Sequence, residues 1–472
     1  MRSSMIKLVA AGLGAAVTVF ACSSNNTTPT VVDAGTDSAT VEEETITIGV
    51  NLALSGTLAA FGKAEQDATR VAQNQINSLG GVLGKKIKFE IVDDRTDTAT
   101  SKANFEGFFG RKLPVVLGPT GSGQAPDGQK LAAAAFFPLI SPSASTPVTQ
   151  AAEPAKERFF FRTAPSHGLQ AKAIAIRLFK GFKGATAPSD AGTDADGGSG
   201  GSPTAGCRSV AILNQDDAYG NPIAAGITET MKALGGDVVA TIKVPAEPKA
   251  NYDAEAAQIV AAKADCQVVA AFPAIGAVYM RSFKKATASD TSRDWSTYVS
   301  IGSNGLKAED TLVKGRENAA DPNSPTSPEG MYIMNFDLSP KTSQANEFKN
   351  IYLTTVQADP AADLPGYSAN QYDAAILAAL AIQKAGTLTD GKKIRDALFE
   401  VSRPPGTAFT PSKLSDALVA LRGGSDIDYD GASGPVDFDD FGEVLANFVV
   451  FKVVGGKFVQ IADAGLTPDE LK

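Results

Sequence analysis

Residues 114–147 read PVVLGPTGSGQAPDGQKLAAAAFFPLISPSASTP. Two short apolar runs, 114–118 and 136–140, have the length of buried parallel strands. An alanine-rich helix over about 124–135 separates them. The turns at 120–123 and 141–146 therefore leave the carboxyl ends of two strands of one sheet. In an open α/β sheet that edge is where ligands bind. Each turn offers serine hydroxyls and free backbone N–H groups, and the first also opens a helix. That chemistry suits a small anion, most simply a carboxylate. Neither turn holds an acid, a base or a metal ligand. The pattern predicts a grip, not a catalytic centre.

Outward from this stretch, the alternation continues in both directions. TITIGVNL (45–52) is a first strand, 53–62 its exit loop, and 63–79 a helix with Ala68, Val71, Ala72, Ile76 and Leu79 on one face. A second strand (86–92) and helix (98–109) lead into 114–147, and 158–162 is a further strand. A helix over 169–182 then starts a second β-α series. Its strands lie at 209–213, 238–244, 267–272, 298–301 and 331–336. Helices at 343–356, 369–385 and 392–401 have no sheet of their own, so they return to an earlier lobe. A hairpin, 448–453 and 457–461 around Gly455 and Gly456, closes the chain.

The expected fold class is α/β, with two doubly wound lobes joined by a multi-crossing hinge. Its divisions are 45–165 for the first part of lobe 1 and 166–337 for lobe 2, with a flexible insertion at 187–206. The chain then returns to lobe 1 over 338–432. A last crossing and the lobe 2 hairpin follow at 433–462, and a tail at 463–472. Several crossings make a hinge, and a hinge between lobes makes a closing cleft.

The 472 residues are 43% apolar, the composition of a globular protein of two ordinary domains. Arg2 and Lys7 precede an uncharged run, 8–21, too short to span a bilayer, which predicts a signal peptide over 1–21. Val19-Phe20-Ala21-Cys22 resembles a lipobox, so Cys22 is the expected lipidation site and the only membrane anchor. The alternative is an ordinary cleaved signal beside an incidental cysteine. Residues 22–44 are poor in large apolar side chains and read as a disordered tether. Removing 1–21 takes away Arg2 and Lys7 and no acid, so the formal charge moves from −9 by two to −11. An acidic surface argues against nucleic acid. Cys207 and Cys266 each precede a strand. If those are the first and third strands of one doubly wound sheet, the cysteines lie together, and export predicts a disulfide. Two buried free thiols are the alternative.

The stretches VNLALSGTLAAFG, GGVLGKKIKFEIVDD, GPTGSG, PLISPSAS, FRTAPSHGLQ, DDAYG, SANQYDAA and SGPVDFD resemble the type I periplasmic binding proteins. The nearest group is the branched-chain amino-acid-binding subunits of ABC importers. The resemblance runs from about 45 to 461. It implies an extracytoplasmic, lipid-anchored solute-binding protein, not an enzyme and without cofactor or metal. Its partners would be a small-molecule ligand and an inner-membrane ABC permease. The runner-up is a sensor handing its signal to a receptor. By the same resemblance, the ligand's carboxylate and ammonium fall mainly to lobe 1, at Ser122 and the turn of Ser143, Ala144 and Ser145. Phe61, Tyr219 and Phe272 enclose the rest. The family often places an acid after the fourth strand of lobe 2 to take the ammonium. Asn304 stands there, so either Asp217 substitutes or the ligand is not a standard amino acid.

Other signals read as structural. The only histidine, His167, is expected on the surface or at a hinge. A hydrolase would need it as base for Ser122 or Ser143, and neither serine lies in a Gly-x-Ser-x-Gly elbow. The hydroxyl of Ser122 is expected to cap the following helix as well as hold the ligand. Residues 80–86 (GGVLGKK) follow a helix and precede a strand, the reverse of a phosphate loop. Asp426, Asp428, Asp430 and Asp437 mimic a calcium loop but lack its terminal glutamate, and read as a solvated acidic turn.

Overall fold

The computed structural model describes residues 44–145, 154, 156–182, 206–337, 343–360 and 362–471. The expected signal peptide, Cys22, all of the tether but Glu44, and all of the insertion but Gly206 lie outside these residues.

The first sheet contains β1 (Thr45–Leu52), β2 (Lys86–Asp93), β3 (Val116–Leu117), β4 (Leu139–Ser141) and β5 (Phe160–Arg162). Its order is β2-β1-β3-β4-β5, with every neighbouring pair parallel. The connections are α1 (Ala59–Ser78), α2 (Thr98–Gly110) and α3 (Ala125–Ala135). Strand β1 is buried on both faces from Ile48 onward, with Ile46, Ile48, Val50 and Leu52 on one face and small or polar residues, Thr47, Gly49 and Asn51, on the other.

After α4 (His167–Lys180) the second sheet begins. It contains β6 (Ser209–Gln215), β7 (Asp237–Val244), β8 (Cys266–Ala270), β9 (Val299–Gly302) and β10 (Tyr332–Phe336). These five run parallel in the order β7-β6-β8-β9-β10. They alternate with α5 (Gly220–Leu234), α6 (Asp253–Ala261), α7 (Pro273–Ala288) and α8 (Glu309–Lys314). Cys207 and Cys266 form a disulfide with Cα atoms 6.1 Å apart. The pairing of β6 with β8 sets Val210 opposite Cys266 and brings the two cysteines together.

The chain then returns. Helices α9 (Ser343–Thr355), α10 (Ser368–Ala385) and α11 (Gly391–Val401) pack into one apolar core with β1 and α1. A small sheet that sequence reading missed joins them: β11 (Thr407–Phe409), β12 (Ile427–Gly431) and β13 (Gly434–Pro435), with α12 (Leu414–Arg422) between the first two. The acidic segment is therefore partly strand, and alternation puts Asp428 and Asp430 on one face of β12. Among the described residues no cluster of acidic, His or Cys side chains could hold a metal ion. Finally β14 (Phe448–Val454) and β15 (Lys457–Leu466) form a hairpin that extends the second sheet antiparallel beside β10. The strand β15 runs four residues past 462, and Leu471 in the closing turn is buried.

The crossings between the sheets are bonded to one another. The Asp337 N–H donates to the Asn447 carbonyl, and the Arg162 N–H to that of Gly442. Thr163 Oγ1 donates to the Asn370 carbonyl, and Asn370 Nδ2 donates back to that of Thr163.

Two local departures matter. Helix α1 starts at Ala59, four residues before the expected start, so Phe61 lies in its first turn and not at the end of a loop. Two alanines extend the helix and Thr96 Oγ1 accepts the Leu58 N–H just ahead of it. Phe136 does not open β4. It ends α3 in the left-handed region (φ 59°), half exposed, and the strand waits until Leu139 because Pro138 has no N–H for the ladder.

Candidate functional site: the seam between the sheets

The two turns of 114–147 meet at the carboxyl edge of the first sheet, as their strands require. Gly118 sits at φ 102° with its α-carbon against Asn51, where a Cβ would come within 2.0 Å of the Asn51 carbonyl. Serine and threonine hydroxyls then stitch the turns together. Ser141 Oγ donates to the Pro119 carbonyl and accepts the Ala144 N–H, each at 2.8 Å. The Ser145 N–H donates to Ser122 Oγ at 3.1 Å.

These bonds correct two expectations. The N–H groups of Ser143, Ala144 and Ser145 are not free: the first two point to Ser141 Oγ and the third to Ser122 Oγ. Ser122 does not cap α3, whose N-terminal turns carry no side-chain cap. Its hydroxyl accepts from the neighbouring turn, and its own proton has no acceptor among the described residues. The N–H groups of Gly121 and Ser122 likewise find none there.

Behind the turns lie two buried ionisable side chains. Glu65, one helical turn after Phe61 on α1, is fully buried. Its carboxyl meets the hydroxyls of Thr120 and Ser143, the latter at 2.9 Å. Burial pushes it up to about 8, against the pull of those hydroxyls and with Asp94 adding to the rise. Arg162, at the end of β5, donates from Nη1 to Ser145 Oγ at 2.6 Å. Its Nη2 lies 2.8 Å from Glu443 Oε1, an ion pair at close range but out of hydrogen-bond alignment.

The second sheet faces this with rings. Tyr219 stacks on Phe272 at 4.2 Å between centroids. The Tyr219 oxygen lies 2.9 Å from both Ser303 Oγ and Asn304 Oδ1, and accepts the Gly305 N–H. Asn304 Nδ2 donates to Tyr367 Oη at 2.7 Å. Both ends of the Asn304 amide are thus spent on tyrosines. Tyr367 precedes α10 in the left-handed region (φ 62°), a strained conformation for a non-glycine residue. It packs edge-on against Phe61 at 5.5 Å, and Phe61 in turn lies 6.1 Å from Phe272.

His167 is not on the surface: it opens α4, just after the chain leaves the first sheet. It is buried, with its ring edge-on to Tyr219 at 4.9 Å and its Nδ1 without a partner. Burial first and Arg162 second push its pKa down to about 3, so it is neutral. Asp217 holds the N–H groups of Tyr219 and Gly220 with one oxygen and Gln215 Nε2 with the other. It lines a cleft of about 360 Å³ together with Leu58, Ser122, Gln124, Gln215 and Phe272, residues that follow strands of both sheets or end one.

Of the eight residues expected at the site, Phe61, Ser122, Ser143, Ser145, Tyr219, Phe272 and Asn304 come together along one seam, while Ala144 shares the turn but packs its side chain into the first-lobe core with Phe105 and Phe159. A profile of the family described as "Periplasmic binding protein" matches residues 45–457. The chain belongs to that family. The Leu/Ile/Val-binding protein BraC3 of Rhizobium johnstonii is 23% identical over 364 residues, 76% of this chain and 85% of that one. The chemotactic signal transduction system substrate-binding protein BasB of Halobacterium salinarum is 25% identical over 441 residues, 90% of this chain and 89% of its own. The solved structure of the branched-chain amino acid transporter substrate-binding protein LivJ from Streptococcus pneumoniae, in complex with isoleucine, superposes with a TM-score of 0.65 at 21% identity. It covers 88% of this chain and 100% of that one.

Within this periplasmic binding protein, sequence reading missed Glu65, Arg162, Tyr367 and Glu443. Glu65 left a trace. The stripe Phe61, Glu65, Ala68, Ala72, Ile76 is apolar except for that one acid, and every member is buried. Tyr367 adjoins the quoted stretch SANQYDAA but was not singled out. Arg162 and Glu443 are 281 positions apart, and nothing local pairs them.

Proposed function

We propose that this periplasmic binding protein holds an amino acid or a similar small carboxylate between its two sheets. The solute's carboxylate lies on the Ser122 turn, with Phe61, Tyr219 and Phe272 around the remainder. One observation carries this reading: a donor set without acceptors at the seam, namely the Ser122 hydroxyl and the N–H groups of Gly121 and Ser122, at the start of a helical segment. The names of BraC3 and of LivJ with isoleucine support an aliphatic amino acid. In this reading the closed protein delivers its solute to an ABC permease, and Cys22 carries a lipid that keeps the chain at the cell envelope. No helix of the described residues is long and apolar enough to cross a membrane. A second reading has its own support. BasB, matched over 90% of this chain, is named for chemotactic signalling, so the same cleft could serve a receptor.

Thermal unfolding with each proteinogenic L-amino acid tests the proposal. A solute present at a hundred times its Kd adds about 2.7 kcal/mol to stability, a rise of several degrees. No rise with any amino acid, nor with small carboxylic acids such as isocaproate, hydrocinnamate and propionate, would overturn it. Co-purification of a permease, as against a receptor, separates the two readings.

A further inference from the structure

Glu65 is a buried acid that no cation of the described residues acts on, and it is bonded to Thr120 and Ser143, in the same two turns that carry Ser122 and Ser145. A carboxylate is costly to bury alone, and the hydrogen bonds around Glu65 describe a neutral acid. Ser143 Oγ lies 2.9 Å from Glu65 Oε1 and 2.8 Å from the Thr120 carbonyl. A carbonyl only accepts, so the single Ser143 proton goes to Thr120. The contact to Oε1 then needs a proton from Glu65. Thr120 Oγ1 closes the ring: it donates to Glu65 Oε2 and accepts the Ala53 N–H. Every close contact in the ring holds a proton only when Glu65 is protonated, as its rise to about 8 agrees. Two further titratable groups face it: Asp94, after β2, which disfavours its charge, and Tyr367, ahead of α10, whose ionisation Glu65 opposes. Among the described residues no cation acts on Glu65.

We infer that the ring of Glu65, Thr120 and Ser143 is the subsite for a positively charged amine on the solute, and that the amine's entry displaces the Glu65 proton. This rests on the reading above, with the carboxylate at Ser122 and the amine at Glu65. An ammonium supplies the missing positive charge and makes the ionised form favourable. Once Glu65 is ionised, the Ser143 proton turns to it, and the Thr120 carbonyl becomes free to accept an ammonium N–H. No covalent bond changes: the solute stays –NH3⁺, and the Glu65 proton passes to the buffer. The negative charge that resemblance expects after β9 is supplied from the first sheet, which leaves Asn304 free to bridge Tyr219 and Tyr367. Asp217 remains committed to the start of α5.

The test is calorimetric titration of the whole chain near neutral pH, in phosphate and in Tris, with matched probes: L-leucine and isocaproate, L-phenylalanine and hydrocinnamate, L-alanine and propionate. Each pair differs only by the amine. At least one amino acid should bind at least about tenfold tighter than its partner acid. The difference in heat between buffers should report about one proton released per amino acid bound. Glu65→Gln keeps a donor for Ser143 but cannot ionise, so it should lose both the preference and the proton release while still binding the deaminated acid. Amino-acid binding without proton release, or an unchanged preference in Glu65→Gln, overturns the inference. Equal binding of both members of a pair overturns it too, while sparing the carboxylate grip. If neither member of any pair binds and the thermal screen finds no other solute, the cleft reading falls and the inference with it. The buffer comparison on the unmodified chain does not depend on how the variant folds.

Discussion

The first sheet brings hydroxyls, a buried acid and a buried ion pair to the seam, whereas the second brings aromatic rings and one amide. Ser122, Ser141, Ser143 and Ser145 bond from turn to turn, and Arg162 and Glu443 brace them from behind. Across the seam, Tyr219 and Phe272 form a stacked wall backed by neutral His167. A polar site made of one sheet's own turns is set before the sheets close. An aromatic wall adds shape and excludes water but does little to choose charge. The division predicts that selectivity lies in the first sheet, and that closure lies in the contacts of Phe61, Phe272, Tyr367 and Asn304 that join the two.

Stability against pH is the severest way to break this contrast. Folded Glu65 keeps its proton up to about 8, where an unburied glutamate loses it near 4.5. The stability it contributes is therefore full below 4.5. It is lost as pH rises, because only the unfolded chain ionises between the two values. The loss is on the order of 5 kcal/mol and is complete above about 8. His167 acts the other way: its folded pKa is lowered to about 3 from 6.5, so it costs stability as pH falls below 6.5. That contribution cancels when variants are compared. Urea unfolding at about pH 5 and 8 should show the unmodified chain losing several kcal/mol more than Glu65→Gln. Equal pH slopes would mean that Glu65 is not the buried neutral acid on which the first sheet's site is built.

The ion pair gives the next largest effect. Arg162→Met leaves Glu443 buried without its cation and Ser145 without a donor, which should cost about 3–5 kcal/mol by urea unfolding. Replacing Glu443 as well, in Arg162→Met with Glu443→Leu, should recover part of the loss, since an apolar pair is easier to bury than one charge. A single variant as stable as the unmodified chain would place the brace elsewhere.

The sequence carried what repeats and hid what occurs once. The β-α alternation was legible because buried parallel strands are apolar on both faces and helices show a 3.6-residue stripe. Cys207 and Cys266 could be paired because a doubly wound order makes the first and third strands neighbours. The small sheet of β11, β12 and β13 went unseen: its strands are two to five residues long, and β12 alternates Asp428 and Asp430 with Ile427 and Tyr429 in an acidic segment. Asp373, far off on α10, holds this corner by accepting from Tyr429 Oη and from the Ala432 and Ser433 N–H groups. The expectation of free N–H groups at 143–145 failed for a similar reason, since Ser141 folds its hydroxyl back on its own turn. A polar residue's partner is a fact of three dimensions. Glu65 in an apolar stripe was the one such case with a local signature.

The smallest effect separates the two sides most sharply. Ser122→Ala with Ser145→Ala removes the acceptor of the Ser145 N–H and the hydroxyl that Arg162 grips, while leaving the backbone path of both turns available. Amino-acid affinity should fall at least about tenfold, or about 1.4 kcal/mol. Tyr219→Phe also deletes a hydroxyl, but that oxygen is engaged by Ser303, Asn304 and Gly305 of its own lobe, and the ring stacked on Phe272 survives. Its affinity should fall by less than that of the serine pair. Calorimetry of both variants with L-leucine decides the matter. If the tyrosine hydroxyl costs more than the two serines together, the second sheet selects the solute as well as covering it, and the division of labour drawn between the lobes is wrong.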